Sequence, residues 1–123
     1  KVLLVDDESI ILEAFLRDSS DHFDIHVAES AKEAFQTLET HEPFDVVIAD
    51  MFMPVQDGIS FLIEVHNNYP DTVRILLSGY ESENLIKEAL AGGLITHFIS
   101  KPCNQETLQE TIAALLKNKT AKT

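Results

Sequence analysis

Three apolar runs in this chain end in the same way. Val2-Leu3-Leu4-Val5 runs into Asp6, Asp7 and Glu8, Val46-Val47-Ile48-Ala49 runs into Asp50, and Phe98-Ile99-Ser100 runs into Lys101 and Pro102. A short run of branched apolar residues closed by a charge reads as a parallel strand, buried on both faces, whose C-terminal end meets solvent. Parallel strands bring their C-terminal ends to one edge of the sheet, so the carboxylates of Asp6, Asp7 and Asp50 and the ammonium of Lys101 should converge there. In open α/β sheets that edge is where ligands bind, at the point where the strand order reverses.

The intervening sequence supports the same layout. Strand and helix patterns alternate five times without long gaps, which favours βα units over a segregated α+β arrangement. The first strand, Val2 to Val5, precedes a helix from about Ser9 to Ser19 with Ile11, Ala14 and Phe15 on its inner face. A second strand, about Asp24 to Ala28, leads to a helix in which Ser30 and Glu33 match a capping box and Ala31, Ala34, Phe35 and Leu38 form the stripe. After the third strand, Val46 to Ala49, Pro54 delays a helix carrying Ile59, Leu62 and Ile63. The fourth strand, Val73 to Leu77, ends at Ser78 and Gly79, and the helix near Glu83 to Ala91 stops at Gly92 and Gly93. The last strand, His97 to Ser100, breaks at Pro102. Asn104 then caps a helix bearing Leu108, Ile112, Leu115 and Leu116.

Composition narrows the function classes. At 123 residues the chain is sized for one domain with one substantial core. A formal charge of −12 argues against direct nucleic-acid binding, which relies on Lys and Arg at phosphates, and suits cations and basic partners. No apolar run approaches the roughly 20 residues that span a bilayer. With Cys103 as its one cysteine and no signal-peptide pattern, the chain is expected in a reducing, cytoplasmic compartment. The domain is expected over residues 1–119, with 120–123 a polar tail or the start of a linker. Both ends look trimmed, so an output domain is expected in a parent chain.

Taken one at a time, the charged residues stay ambiguous. Asp6 and Asp7 fit a helix N-cap as well as a metal site, and Asp50 alone fits a strand-ending cap. Ser78 and Gly79 fit a turn, and Lys101 a surface lysine before a loop proline. Their joint placement at the ends of four strands decides otherwise. The pattern resembles the receiver domain of two-component response regulators over essentially the whole chain. Asp6 and Asp7 match that family's acidic pair, Asp50 its phosphoacceptor, Ser78 its Ser/Thr position and Lys101-Pro102 its Lys-Pro. Met53, Pro54, Asp57 and Gly58 match the string that follows the acceptor. The resemblance implies a flavodoxin-like (βα)5 three-layer sandwich with a parallel five-stranded sheet of order 2-1-3-4-5.

It also implies a mechanism. Mg²⁺, with Mn²⁺ as a substitute, would be held by Asp6, Asp7, Asp50 and the backbone carbonyl of Phe52, the role of Asp6 running through water. A hard octahedral ion that bridges carboxylates to phosphoryl oxygens suits this donor set. Asp50 would take a phosphoryl group from the phosphohistidine of a sensor histidine kinase or phosphotransfer protein, or from a small donor, with Lys101 and Ser78 contacting the phosphoryl oxygens. The domain would catalyse only its own phosphorylation and dephosphorylation and would not be a metabolic enzyme. Ser78 and Phe98 would form the switch, and the family makes Lys101-Pro102 a cis peptide. The output would be the face built from the fourth helix, the last strand and the last helix (the 4-5-5 face), which could also form a homodimer. Phe98 lacks the hydroxyl of the commoner Tyr, so the switch must work through packing. The linker Gly93-Leu-Ile-Thr-His-Phe98, longer by about one residue than usual, resembles receivers found ahead of cyclic-dinucleotide phosphodiesterase or AAA-type activator domains. Phe52 and Tyr80 would shield the acceptor from water.

Two other classes compete. A flavodoxin-like FMN carrier shares the sheet order but wants a Ser/Thr/Gly-rich phosphate loop where this chain has Asp-Asp-Glu. An Mg²⁺-dependent phosphohydrolase with an Asp nucleophile usually carries a second acid where this chain has Phe52. A degenerate receiver would lack the acceptor, the acid pair or the lysine, all of which are present. The histidines read as bystanders: His22 and His26 lie roughly 13 Å apart if extended, and His41, His66 and His97 have no partner nearby in sequence.

Overall fold

The computed structural model describes residues 1–41, 43–53, 55–79, 83–101 and 104–121. Glu42, Pro54, Tyr80, Pro102 and Cys103 lie outside the described residues, so the expected Lys101-Pro102 cis bond and the shielding role of Tyr80 rest on sequence. Ten elements alternate along the chain: β1 (Val2–Val5), α1 (Ser9–Ser19), β2 (Ile25–Ala28), α2 (Ala31–His41), β3 (Val46–Asp50), α3 (Gly58–Asn68), β4 (Val73–Ser78), α4 (Glu83–Ala91), β5 (His97–Ser100) and α5 (Gln105–Ala121). All strand pairs are parallel, in the order β2-β1-β3-β4-β5. The expected flavodoxin-like sandwich is therefore the fold.

The two-residue period of the strands sorts the core into two layers. Leu3, Val5, Val47, Ala49 and Leu76 pack with residues of α2, α3 and α4, including Ala34, Phe61, Leu62 and Ile86. Val2, Leu4, Val46, Ile48, Ile75 and Leu77 pack with Leu12 and Phe15 of α1 and Leu108 and Ile112 of α5. Both faces of the sheet are thus covered, which is why the strands read as continuous apolar runs.

Local chemistry sets the helix ends. At α2 the Glu33 amide donates to Ser30 Oγ (3.1 Å), while the Glu33 carboxylate accepts from the Glu29 amide, so the box closes one residue earlier than the usual pattern. Asp57 caps α3 through the Ser60 amide (2.8 Å), and Asn104 caps α5 through the Thr107 amide (2.7 Å). After α4 the Gly93 amide donates to the Leu90 carbonyl and the Leu94 amide to the Ala89 carbonyl. Gly93 is at φ 73°, so this is a Schellman stop that needs its glycine. The inner faces of two helices differ from the sequence expectation by about one position. In α1, Leu12 is buried beside Phe15 while Ile11 and Ala14 are half-buried, and in α3 the buried residues are Phe61, Leu62 and Val65 rather than Ile59 and Ile63. A triplet of apolar residues fixes a helix stripe only to within one residue, and packing against the sheet selects the face.

Gly58 opens α3 where no side chain fits. A Cβ there would meet the Asp50 carbonyl oxygen at 2.4 Å and a Leu76 methyl at 2.8 Å. Gly58→Ala should therefore cost about 2 kcal/mol and lower the melting temperature by roughly 5–10 °C, as overpacking does. A thermal melt unchanged from wild type would show that the loop yields freely.

Candidate functional site

Strand register places the charged residues. Val5 pairs with Ala49, so Asp6 and Asp50 emerge level from β1 and β3, the point at which the strand order reverses. Asp50 pairs with Leu77, and Ser78 with Ser100, so Ser78 and Lys101 lie one step further along β4 and β5. Four strand ends thereby deliver an acid, an acid, a hydroxyl and an amine to one crevice.

Within it, Asp50 and Lys101 form an ion pair through Asp50 Oδ1, with the carboxylate side chain 8% and the lysine 39% exposed. The ligand oxygens of Asp6, Asp7 and Asp50 lie within 4.8 Å of one another. Asp7 is exposed and Asp6 is buried. Asp6 Oδ1 accepts from the Glu8 amide (2.9 Å), whereas Asp6 Oδ2 and Ser78 Oγ are buried without a protein partner. Because β3 lies between β1 and β4, these two orphaned atoms flank Asp50. Buried polar atoms left unpaired are costly, and two beside one carboxylate mark a place prepared for a ligand. A donor set of three carboxylate oxygens fits a hard divalent cation. Neither Asp6 nor Asp7 is the N-cap of α1: that position is Glu8, with no side-chain cap.

Burial raises the pKa of Asp6 above the ordinary carboxylate value. The Glu8 amide opposes that shift, and the Asp50 charge adds to it. The folded form thus holds this proton more tightly than the unfolded chain does. The contribution of Asp6 to stability is therefore lost as pH rises from the unperturbed value of 3.8 through the raised folded pKa. Asp6→Asn keeps an acceptor for the Glu8 amide and removes the charge. In chelator at neutral pH this variant should melt a few degrees above wild type, because the amide carries no buried charge. The gain should vanish below the unperturbed value. Identical melting of the two proteins at neutral pH would count against a destabilising Asp6 charge.

Phe52 stands 56% exposed at the rim, and Phe98 is half-buried against the core layer under α2, α3 and α4, in register with Leu76. His26 and His41, read from the sequence as bystanders, meet with tilted rings at 4.9 Å between centroids, and His26 is edge-on to Phe44. They lie at the N-terminal end of the sheet, away from the crevice.

Two features escaped the sequence reading. Arg74, inside β4, is 6% exposed and donates to four backbone carbonyls, those of Leu94, Pro70, Thr72 and Gly93. The signal was a lone cation in an apolar strand, but nothing in the sequence names its acceptors. The second is a cleft of about 900 Å³ that opens from Asp50 toward α1 and α5, with Gln105, Ile11 and Ala14 in its wall.

The family model for the response regulator receiver domain matches residues 2–113. The hydrogenase transcriptional regulatory protein HoxA of Cupriavidus necator is 37% identical over 112 residues, 90% of this chain and 23% of that protein. The chain thus spans about a quarter of that relative's length. Among solved structures, an adenylate cyclase from Rhodopirellula baltica superposes with TM-score 0.92 at 30% identity, covering 98% of this chain and 92% of that one. A response regulator receiver domain protein from Clostridium thermocellum superposes with TM-score 0.89 at 27% identity, covering 99% and 98%. With the crevice of acids, hydroxyl and lysine at the switch point of this sheet, these likenesses settle the family: the chain belongs to the receiver domains of two-component response regulators.

Proposed function

We propose that Asp50 is the phosphoacceptor of a phosphorelay domain spanning residues 1–119. The observation that carries this reading is the pair of partnerless buried atoms, Asp6 Oδ2 and Ser78 Oγ, flanking a carboxylate already paired with Lys101. Asp6, Asp7, Asp50 and the Phe52 carbonyl would hold Mg²⁺, or Mn²⁺ in its place. Bound there, the ion would offset the charge that builds on the transferring phosphoryl group. An oxygen of Asp50 attacks phosphorus, and the pair of electrons leaves with the imidazole of a phosphohistidine or with a small donor's leaving group. Lys101 then exchanges its carboxylate partner for a phosphoryl oxygen, and the hydroxyl of Ser78 donates to another.

Output follows from that exchange. Ser78 gains a partner only in the phosphorylated state, so it biases the equilibrium between two conformations. Ser78 pairs with Ser100 on β5, two residues from Phe98, which ties the hydroxyl to the α4-β5-α5 face. Leu85 and Leu90 of α4 are exposed there and suit a partner or a second copy of the chain. The role is regulatory: a sensor histidine kinase or phosphotransfer protein supplies the phosphoryl group, and an output domain in the same parent chain reads it. A reducing cytoplasmic setting agrees with the single cysteine. No helix among the described residues is long and apolar enough to cross a membrane.

The test is intact mass after incubation with acetyl phosphate and Mg²⁺, which should show one phosphoryl increment, mapped to Asp50. Unmodified protein would refute the reading. Phe52 at the rim, together with Tyr80, should keep water from the acyl phosphate, so the modified form should persist for hours in Mg²⁺. Complete loss within minutes would assign no shielding to these residues.

A further inference from the structure

The cleft beside Asp50 is larger than a phosphoryl group and an ion require. At about 900 Å³ it reaches the upper part of the range of small-molecule sites, roughly 300–1,000 Å³. Its two ends differ. Asp6, Asp50, Ser78 and Lys101 line one end, while Ile10, Ile11, Ala14, Phe15 and Leu108 line the other, between α1 and α5. Ile10 is 79% exposed at the mouth. Gln105, at the start of α5, lines the same cleft, and its Oε1 is buried with no partner, which gives the apolar wall one uncommitted polar group. Apolar walls with a few placed polar groups are the anatomy of a ligand site.

We infer that this cleft is a leaving-group subsite that selects acyl phosphates with an apolar acyl chain over acetyl phosphate. The inference rests on Asp50 as phosphoacceptor. The anionic head would meet Lys101 and Ser78, and the tail would lie against Ile11, Ala14 and Leu108. In the transfer an Asp50 oxygen forms its bond to phosphorus as the bond from phosphorus to the acyl oxygen breaks. The electron pair departs on the acyl carboxylate, and no proton or redox partner is needed. Butyrate and acetate are leaving groups of nearly equal basicity, so a rate difference between their phosphates reports binding of the tail.

The experiment compares phosphorylation of Asp50 by butyryl and acetyl phosphate at equal, subsaturating concentrations with Mg²⁺, read by intact mass. Two extra methylenes leaving water should favour butyryl phosphate by about 5- to 15-fold. Ala14→Leu, which fills the cleft, and Ile11→Ser, which makes its wall polar at a half-exposed position, should each reduce that preference to about twofold or less while acetyl phosphate still labels Asp50. Equal rates for both donors on wild type would overturn the subsite and leave the phosphoacceptor reading standing; a cleft reserved for a helix of a phosphotransfer protein would give that result. A preference that survives both variants would also overturn it, because the tail would then lie elsewhere. If neither donor labels Asp50, the phosphoacceptor reading falls and the inference with it; if acetyl phosphate labels Asp50 and butyryl phosphate does not, only the subsite is overturned.

Discussion

Asp50→Asn, treated with acetyl phosphate and Mg²⁺, should gain no phosphoryl mass under conditions that modify wild-type protein to near completion. The amide has the same shape but is a far poorer nucleophile than a carboxylate. Its oxygen still accepts from Lys101, so the contact between β3 and β5 persists. The fold should survive, because Lys101 is partly exposed and its ammonium reaches water. Two carboxylates would remain in the crevice instead of three, which also eases the repulsion felt at Asp6. The far-ultraviolet circular dichroism should match wild type, and the melting temperature should hold or rise. Undiminished labelling of this variant would move the acceptor role to another side chain, with Asp6 and Asp7 the nearest carboxylates.

Arg74→Met should be the most destabilising of the surface-distant changes, by about 3 kcal/mol, or roughly 10 °C in melting temperature. Methionine keeps much of the side-chain length but donates nothing. The guanidinium joins two connections that lie side by side at one end of the sheet: Pro70 and Thr72 between α3 and β4, and Gly93 and Leu94 between α4 and β5. Removing it takes the donor from the buried Thr72 carbonyl and from the part-buried carbonyls of Leu94, Pro70 and Gly93, and a buried acceptor left open is expensive. Thr96 completes the junction, accepting the Arg74 amide on Oγ1 and donating its own amide to the Arg74 carbonyl. Arg74→Lys should recover little, since one ammonium cannot reach acceptors spread around a planar fork. Burial lowers the pKa of this guanidinium, yet it stays charged, so the loss should not depend on pH in the physiological range. A melting temperature within about 2 °C of wild type would mean that water replaces the arginine at those carbonyls.

The junction also orders the approach to β5. Gly93-Leu-Ile-Thr-His-Phe98 is a structured connection, with Ile95 buried in the core and the chain held by Arg74 before it enters the sheet. Phe98 therefore starts from a fixed backbone, and any signal passing through it must work by repacking the half-buried ring.

Much of the site could be read from the sequence because register is a local matter. Each parallel strand carries its own length signal, so a charge that closes an apolar run lands at the sheet edge whatever the loops do, and Asp6, Asp50 and Lys101 follow directly. Ser78 carries no charge and was found through its spacing in the family pattern. The capping residues Ser30 and Asn104 and the stop at Gly92-Gly93 were legible for the same reason, since they bind backbone groups within a few residues.

Tertiary structure alone decided the rest. The ion pair between Asp50 and Lys101, the unpaired atoms of Asp6 and Ser78, the four carbonyls on Arg74 and the cleft walled by Gln105, Ile11 and Ala14 all depend on groups far apart in the chain. Local patterns specify which way a side chain points from its own element; the partner it meets is set by which strands become neighbours and how the helices settle on them. The sequence by itself determined a parallel sheet with its acids, hydroxyl and lysine at one edge. Packing determined which of those groups are satisfied, and so which are left for a ligand.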